Sequence, residues 1–189
     1  MRQRRPAIPQ RRRIFLGCEG ESEQSYGVLL GRLIEARHRR IHIDAVLLQP
    51  GAGDPLGLVE RAIRQIRDRT MRTGAYAGGA ILLDSDKRGL VPERDAKAAT
   101  LCAQHRLHLI WQEPCHEAFL LRHLVRCETL RPAGTHQSLD ELRRRWPDYR
   151  KGLAATRLAL TLDEACVLRA ASVEAALNAF LETIEFGRD

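Results

Sequence analysis

Ala80-Ile81-Leu82-Leu83-Asp84-Ser85-Asp86 is the stretch whose reading decides the fold. Four apolar residues in a row, entered through Gly78-Gly79, read as a strand buried on both faces, the signature of a parallel sheet. Asp84 and Asp86 then fall at the carboxyl end of that strand. In open α/β sheets this is the edge where ligands and metals collect. Two readings of the pair stand side by side. Asp84 and Asp86 either close a strand as ordinary turn residues, or they reach a shared hard cation.

Upstream, Arg13-Ile14-Phe15-Leu16-Gly17-Cys18 reads as the first strand. It runs into Glu19-Gly20-Glu21-Ser22-Glu23, and then Tyr26, Leu29, Leu30, Leu33 and Ile34 recur at helical spacing. Acids before a helix suit its dipole, but Glu19 stands before the glycine turn, at the strand end. Ile41 to Leu48 is a second strand. Asp54 reads as an N-cap followed by Pro55 at the first helical position. Val59, Ala62, Ile63 and Ile66 form the stripe of that helix, with Arg61, Arg64, Arg67, Arg69 and Arg72 outside it. These arginines either steer a polyanion or form a solvated face interleaved with Glu60 and Asp68.

Downstream, a helix from Pro92 to His105 and a strand from Leu107 to Trp111 continue the alternation. Gln112-Glu113-Pro114 breaks the chain, and Cys115 to Cys127 reads as a further helix. Alternating strand and helix predict an α/β fold with a parallel sheet and right-handed crossovers. Beyond Arg131 no strand is visible. Ser138 with Glu141, and Thr161 with Glu164, read as capping boxes, and Val173 to Ile184 carries the stripe of a last helix. The expected organisation is a basic flexible arm over 1–12, an α/β core over 13–131 and a helical C-terminal extension over 132–189.

The chain has 189 residues, 44% of them hydrophobic, enough for one domain with a real core. No apolar run approaches a membrane span, and Met1 to Arg13 has no apolar centre of a secretory signal. The formal net charge is +7, but Arg2, Arg4, Arg5, Arg11, Arg12 and Arg13 carry nearly all of it. A nucleic-acid contact would therefore start with the arm. The five cysteines, an odd number without a CxxC pair, suggest free thiols in a reducing, cytoplasmic setting. Cys115, His116, His123 and Cys127 fit no zinc spacing and read as core. There is no GxxxxGK[ST] loop.

Glu19, Asp84 and Asp86 end strands of one parallel sheet. If those strands are neighbours the acids converge, and three close carboxylates repel unless a divalent cation binds them. Cys18-Glu19-Gly20-Glu21-Ser22-Glu23 with Asp84-Ser85-Asp86 resembles a Toprim domain, the metal-binding fold of topoisomerases, primases and OLD-type nucleases. More narrowly the chain resembles the RloB-like family, which is linked to restriction and abortive-infection loci. The segment Pro114-Cys115-His116-Glu117, running into a helix with His123, and the Tyr149-Arg150-Lys151 stretch complete the likeness. It covers roughly residues 13 to 155. His116 stands where the family has another aromatic residue, and Phe119 where a tryptophan is usual.

The resemblance implies a Toprim-like parallel sheet flanked by helices and a Mg²⁺-dependent (or Mn²⁺-dependent) nuclease or related phosphoryl-transfer protein, acting on DNA or RNA in phage defence. Glu19 would be the primary metal ligand or general base, Asp84 and Asp86 metal ligands, and Glu23 a ligand for a second metal. Glu117 would be an additional acid, and Lys151 would stabilise transition-state charge. Two alternatives remain: a non-catalytic subunit that binds nucleic acid or a separate ATPase, and a Toprim-type enzyme acting on small nucleotides. A homo-oligomer is also compatible with the sequence.

Overall fold

The computed structural model describes residues 11–49 and 54–187. Its elements are β1 (Arg12–Cys18), α1 (Glu21–Ala36), β2 (Ile41–Leu47), α2 (Pro55–Thr73), β3 (Gly78–Asp84), α3 (Pro92–Gln104) and β4 (Leu107–Gln112). Then follow α4 (His116–Leu121), α5 (Thr135–Arg145), α6 (Ala155–Leu158), α7 (Glu164–Ala171) and α8 (Ala175–Thr183). The four strands form one sheet in the order β2-β1-β3-β4, every pair parallel. The fold is therefore α/β, a Toprim-like parallel sheet flanked by helices with a helical C-terminal extension.

Side chains alternate across the pleat into two separate cores. Ile14, Leu16, Ala80, Leu82 and Ile110 join α1 and the C-terminal helices on one face. Phe15, Ile81, Leu83 and Leu107 join α2 and α3 on the other. Handedness explains this division. The chain steps from β1 outward to β2, then crosses back to β3 and on to β4. Right-handed crossovers put α1 on one face and α2 and α3 on the opposite one. A single crossover helix cannot cover a four-stranded face, so the apolar surface of β3 and β4 beside α1 must be buried by chain beyond β4. Phe119, Leu142, Tyr149, Phe180 and Ile184 supply that cover.

Two glycines set close approaches. A Cβ on Gly79 would stand 2.5 Å from the Phe15 carbonyl oxygen, so only glycine lets β3 lie against β1 in this register. A Cβ on Gly27 would stand 2.8 Å from a Leu16 methyl and 2.9 Å from the Ala45 Cβ, where α1 settles on the sheet.

Several expectations need correction. The first strand begins at Arg12, so the arm does not extend to residue 12. Arg12 pairs with Glu185 at 2.8 Å and Arg11 with Glu35 at 2.8 Å, while residues 1–10 lie outside the described residues. The helix read from Cys115 to Cys127 ends at Leu121. Beyond it the chain tightens into i→i+3 turns, with His123 N donating to Leu120 O at 3.0 Å and Leu124 N to Leu121 O at 3.0 Å. Tertiary contacts drive the change: Arg122 turns fully inward, donating to the Glu113 carbonyl at 3.0 Å and pairing with Glu174. Ser138 is not a cap. It lies inside α5 and donates to the Gly134 carbonyl at 2.8 Å, the helix having started at Thr135 after an extended Gly134. Thr161 is not a cap either, since Asp163 accepts from Cys166 N at 2.8 Å and begins α7. Asp54 does cap α2, accepting from Gly57 N at 2.9 Å. Among the described residues no helix is long and apolar enough to cross a membrane.

Candidate functional site

Strand order reverses between β1 and β3, the two neighbours from which the chain departs in opposite directions. A crevice opens at the carboxyl ends of strands at such a point, because the flanking helices leave on opposite faces. Glu19 follows the last residue of β1, and Asp84 ends β3. Each strand is anchored by its buried apolar run, so the position of each carboxylate follows from register. The Asp84 N–H donates to Glu19 Oε2 at 3.0 Å, which ties the two strand ends together.

The crevice is a recess of about 420 Å³ whose walls include Glu19, Glu23, Asp84, His116, Glu117 and Lys151. Glu23 is buried in the first turn of α1, and its Oε2 accepts from Gly20 N at 3.0 Å. Glu117 is buried in the first turn of α4. Tyr149 O–H donates to Glu117 Oε1 at 3.3 Å, and Lys151 Nζ lies 3.4 Å from the same oxygen. Gly152 N donates to Ser22 Oγ at 3.0 Å, fastening the segment that carries Lys151 against the loop that carries Glu19 and Glu23. Five of the six site residues expected from sequence thus meet in one recess. Asp86, the sixth, is exposed just outside its wall.

The electrostatics follow from crowding and burial. Asp84 has its carboxyl pushed up to about 8, chiefly by burial and then by repulsion from Glu23, Glu19, Glu117 and Asp86. Its Oδ1 is buried with no hydrogen-bond partner. Glu19 is raised as well, first by burial; the Asp84 N–H lowers it, Glu23 and Asp86 raise it, and Lys87 lowers it. Such a cluster is costly when fully ionised without a cation. The donors are carboxylate oxygens, which suit a hard divalent ion, and the orphaned Oδ1 is a ligand atom in want of a partner. Among the described residues, no three His, Cys, Asp or Glu side chains already stand close enough to enclose a metal. Mg²⁺ needs no such cage, since one or two carboxylates and several waters suffice.

His116 in this wall and its buried partner Gln112 were not singled out as site residues in the sequence. Gln112 ends β4 beside Asp84 in the sheet register, and its amide nitrogen lies 2.7 Å from His116 Nδ1. With the amide donating, the ring proton belongs on Nε2, which is buried and unpartnered. Burial lowers the His116 pKa, against the pull of Glu23 and Glu117. His116 Nδ1 stands 3.8 Å from Glu23 Oε1. The available signal was His116 in the Pro-Cys-His-Glu segment, where a polar ring replaces another aromatic. His123 is elsewhere in the core, bonded to Tyr26 and Phe119, and belongs to packing.

The chain matches no protein-family model and no curated protein.

Proposed function

We propose that the recess is the catalytic centre of a metal-dependent nuclease, or of a closely related phosphoryl-transfer protein, acting on DNA or RNA. One observation carries the reading. Asp84 places a buried carboxylate oxygen without a partner among three further carboxylates, at the switch point of a parallel sheet. Glu19 and Asp84 would hold Mg²⁺ (or Mn²⁺), with Glu23 beside them and Asp86 reaching in from the rim. A bound divalent ion would supply an activated water and charge neutralisation at a phosphodiester.

The chain's own groups have separable tasks. Glu19 accepts the Asp84 N–H through Oε2, which fixes its orientation and leaves Oε1 as the atom that would either bind the cation or take a proton from an attacking water. Glu117 is held by Tyr149 and Lys151 and so orients the lysine. Lys151 is 56% exposed, and its ammonium can leave Glu117 for a phosphate oxygen at the mouth of the recess. The RloB-like resemblance adds the expectation of a role in phage defence by abortive infection, with a separate ATPase as a possible partner.

The test is Asp84→Asn, which keeps shape and removes one anionic ligand. Cleavage of single- and double-stranded substrates should fall at least about a hundredfold with Mg²⁺ or Mn²⁺, and calorimetric metal affinity should fall with it. Polymer binding should persist or improve, because a negative charge near the phosphates is gone. Equal cleavage by wild type and variant removes the site from the chemistry. A wild type that binds polymer but cleaves nothing with any metal supports the binding-subunit reading instead.

A further inference from the structure

We infer that the outward face of α2, with the cleft between α2 and β2, seats the phosphate backbone of a nucleic acid. Two independent features lead there. The first is the cleft, about 600 Å³, on the α2 side of the sheet, which shares no lining residue with the carboxylate recess at the strand ends. β2 sends Ile41, Ile43 and Ala45 toward the α1 core and Val46 toward α2, but His42 and Asp44 occupy its α2-facing positions. A strand of a parallel sheet is ordinarily apolar on both faces. Here the last turns of α2 answer with Gln65, Asp68, Arg69 and Arg72, and polar space replaces a core.

The floor of that cleft is built. Arg13 pairs with Asp44 at 2.6 Å and donates to the Gly74 carbonyl at 2.7 Å and to the Tyr76 hydroxyl at 2.8 Å. Its guanidinium lies 4.2 Å from the centre of the Tyr76 ring. Asp44 is therefore largely spent on Arg13 and Tyr76, and Arg69 stands 3.9 Å away as a second, weaker partner. Arg72 has no hydrogen bond or ion pair among the described residues.

The second feature is the helix face itself. At 100° per residue, Arg61, Arg64 and Arg72 share one side of α2, opposite Val59, Ala62, Ile63 and Ile66. They span about 16 Å along the helix axis, the length of several phosphates on one strand. The helix's own acids do not balance them: Glu60 is turned toward α3, and Asp68, on the same side, is one carboxylate among three arginines. Glu60 faces Lys97 of α3 at 3.9 Å and Asp68 faces Arg67 at 3.6 Å. Other arginine clusters are answered: Glu141 takes Arg144 and Arg145, and Asp54 takes Arg94. Arg61 and Arg64, like Arg72, have no partner among the described residues. Cations strung out in a line, rather than converging on a point, match a polymer better than a single small anion.

The choice of nucleic acid rests on the function proposed above; the basic track does not. The experiment compares wild type, Arg61→Gln/Arg64→Gln/Arg72→Gln and, in parallel, Asp84→Asn. Anisotropy titrations use a short labelled duplex and a labelled single strand between about 50 and 200 mM salt. Each lost phosphate contact removes about 0.7–0.9 from the slope of log K against log salt, so the triple variant should bind more weakly with a slope shallower by about 2 to 3. Its melting temperature should hold, since the three side chains touch no partner. Asp84→Asn should keep the wild-type slope, so loss of the recess and loss of the track read differently. An unchanged slope in the triple variant overturns the inference. So does displacement of the polymer by inorganic phosphate at equal phosphate concentration, which would mark a small-anion site.

Discussion

The two ring nitrogens of His123 have different partners. Nδ1 is 2.9 Å from the Phe119 carbonyl, which can only accept, so Nδ1 carries the proton and Nε2 accepts from the Tyr26 hydroxyl at 2.8 Å. Burial holds this ring neutral and pushes its pKa down to about 3. The folded pKa is thus depressed below the ordinary value near 6.5. Above about 6.5 neither state binds the proton, and the contribution to stability is complete. Below it the unfolded chain takes up a proton that the folded chain refuses, and stability falls until about pH 3. His123→Gln should therefore flatten the decline of unfolding free energy between about pH 6.5 and 4, by up to about 1.4 kcal/mol per pH unit. Denaturant titrations of both proteins across that range measure it, and parallel slopes would refute the assignment. Legibility at this scale divides by range. Glu19 and Asp84 could be placed from sequence because each ends an apolar run, and strand ends share an edge. The pairing of Gln112 with His116 and the docking of Gly152 on Ser22 could not, because both depend on how α4 and the 149–152 segment return to the sheet.

Strands were easier to read than helices, for a physical reason. β1 and β3 are buried on both faces, so their composition alone announces them. Helix boundaries here are set by tertiary partners. α4 stops at Leu121 because Arg122 is drawn toward Glu113 and Glu174, and Ser138 looks like a cap only until its hydroxyl is seen to turn back to Gly134. The four-residue α6 has no periodicity to display. At the level of elements the decisive contact is between β1 and β3, which bring Glu19 and Asp84 together. Gly79→Ala tests it. The added methyl would meet a carbonyl oxygen of the neighbouring backbone, which cannot rotate away as a side chain would. A loss of roughly 2–4 kcal/mol is expected, together with weaker metal binding at saturating folded protein if the displacement at Gly79 is carried along β3 to Asp84. A variant as stable as wild type would mean that the sheet relaxes at this point and that β1–β3 spacing does not govern the recess.

On the scale of the whole molecule, basic charge and fold overlap at the N-terminus, and the overlap can be cut apart. Arg12 N donates to the Arg40 carbonyl at 2.7 Å, its backbone pairs with Ile41, and its guanidinium reaches both Glu185 and the Thr183 carbonyl. It therefore fastens the start of β1 to the end of α8, closing the C-terminal extension onto the sheet. Arg11 contributes only an exposed pair with Glu35, the kind worth about 0–1 kcal/mol. A truncation that removes residues 2–10 takes Arg2, Arg4 and Arg5 and spares these links. One that removes 2–12 also takes Arg12 and the first rung of the β1–β2 ladder. The shorter truncation should melt with wild type, whereas the longer should lose on the order of 1–2 kcal/mol, or roughly 2–8 °C. If Arg2, Arg4 and Arg5 contact phosphates, the shorter truncation alone should also reduce the salt slope of polymer binding by up to about 2 to 3. If the two sets bind phosphates independently, that loss should add to the loss from the α2 arginines. Thermal melts and salt titrations on the two truncations give both readouts. A slope unchanged on removing 2–10 would confine the basic contact to residues beyond 10, and equal melting of the two truncations would deny Arg12 its part in closing the sheet.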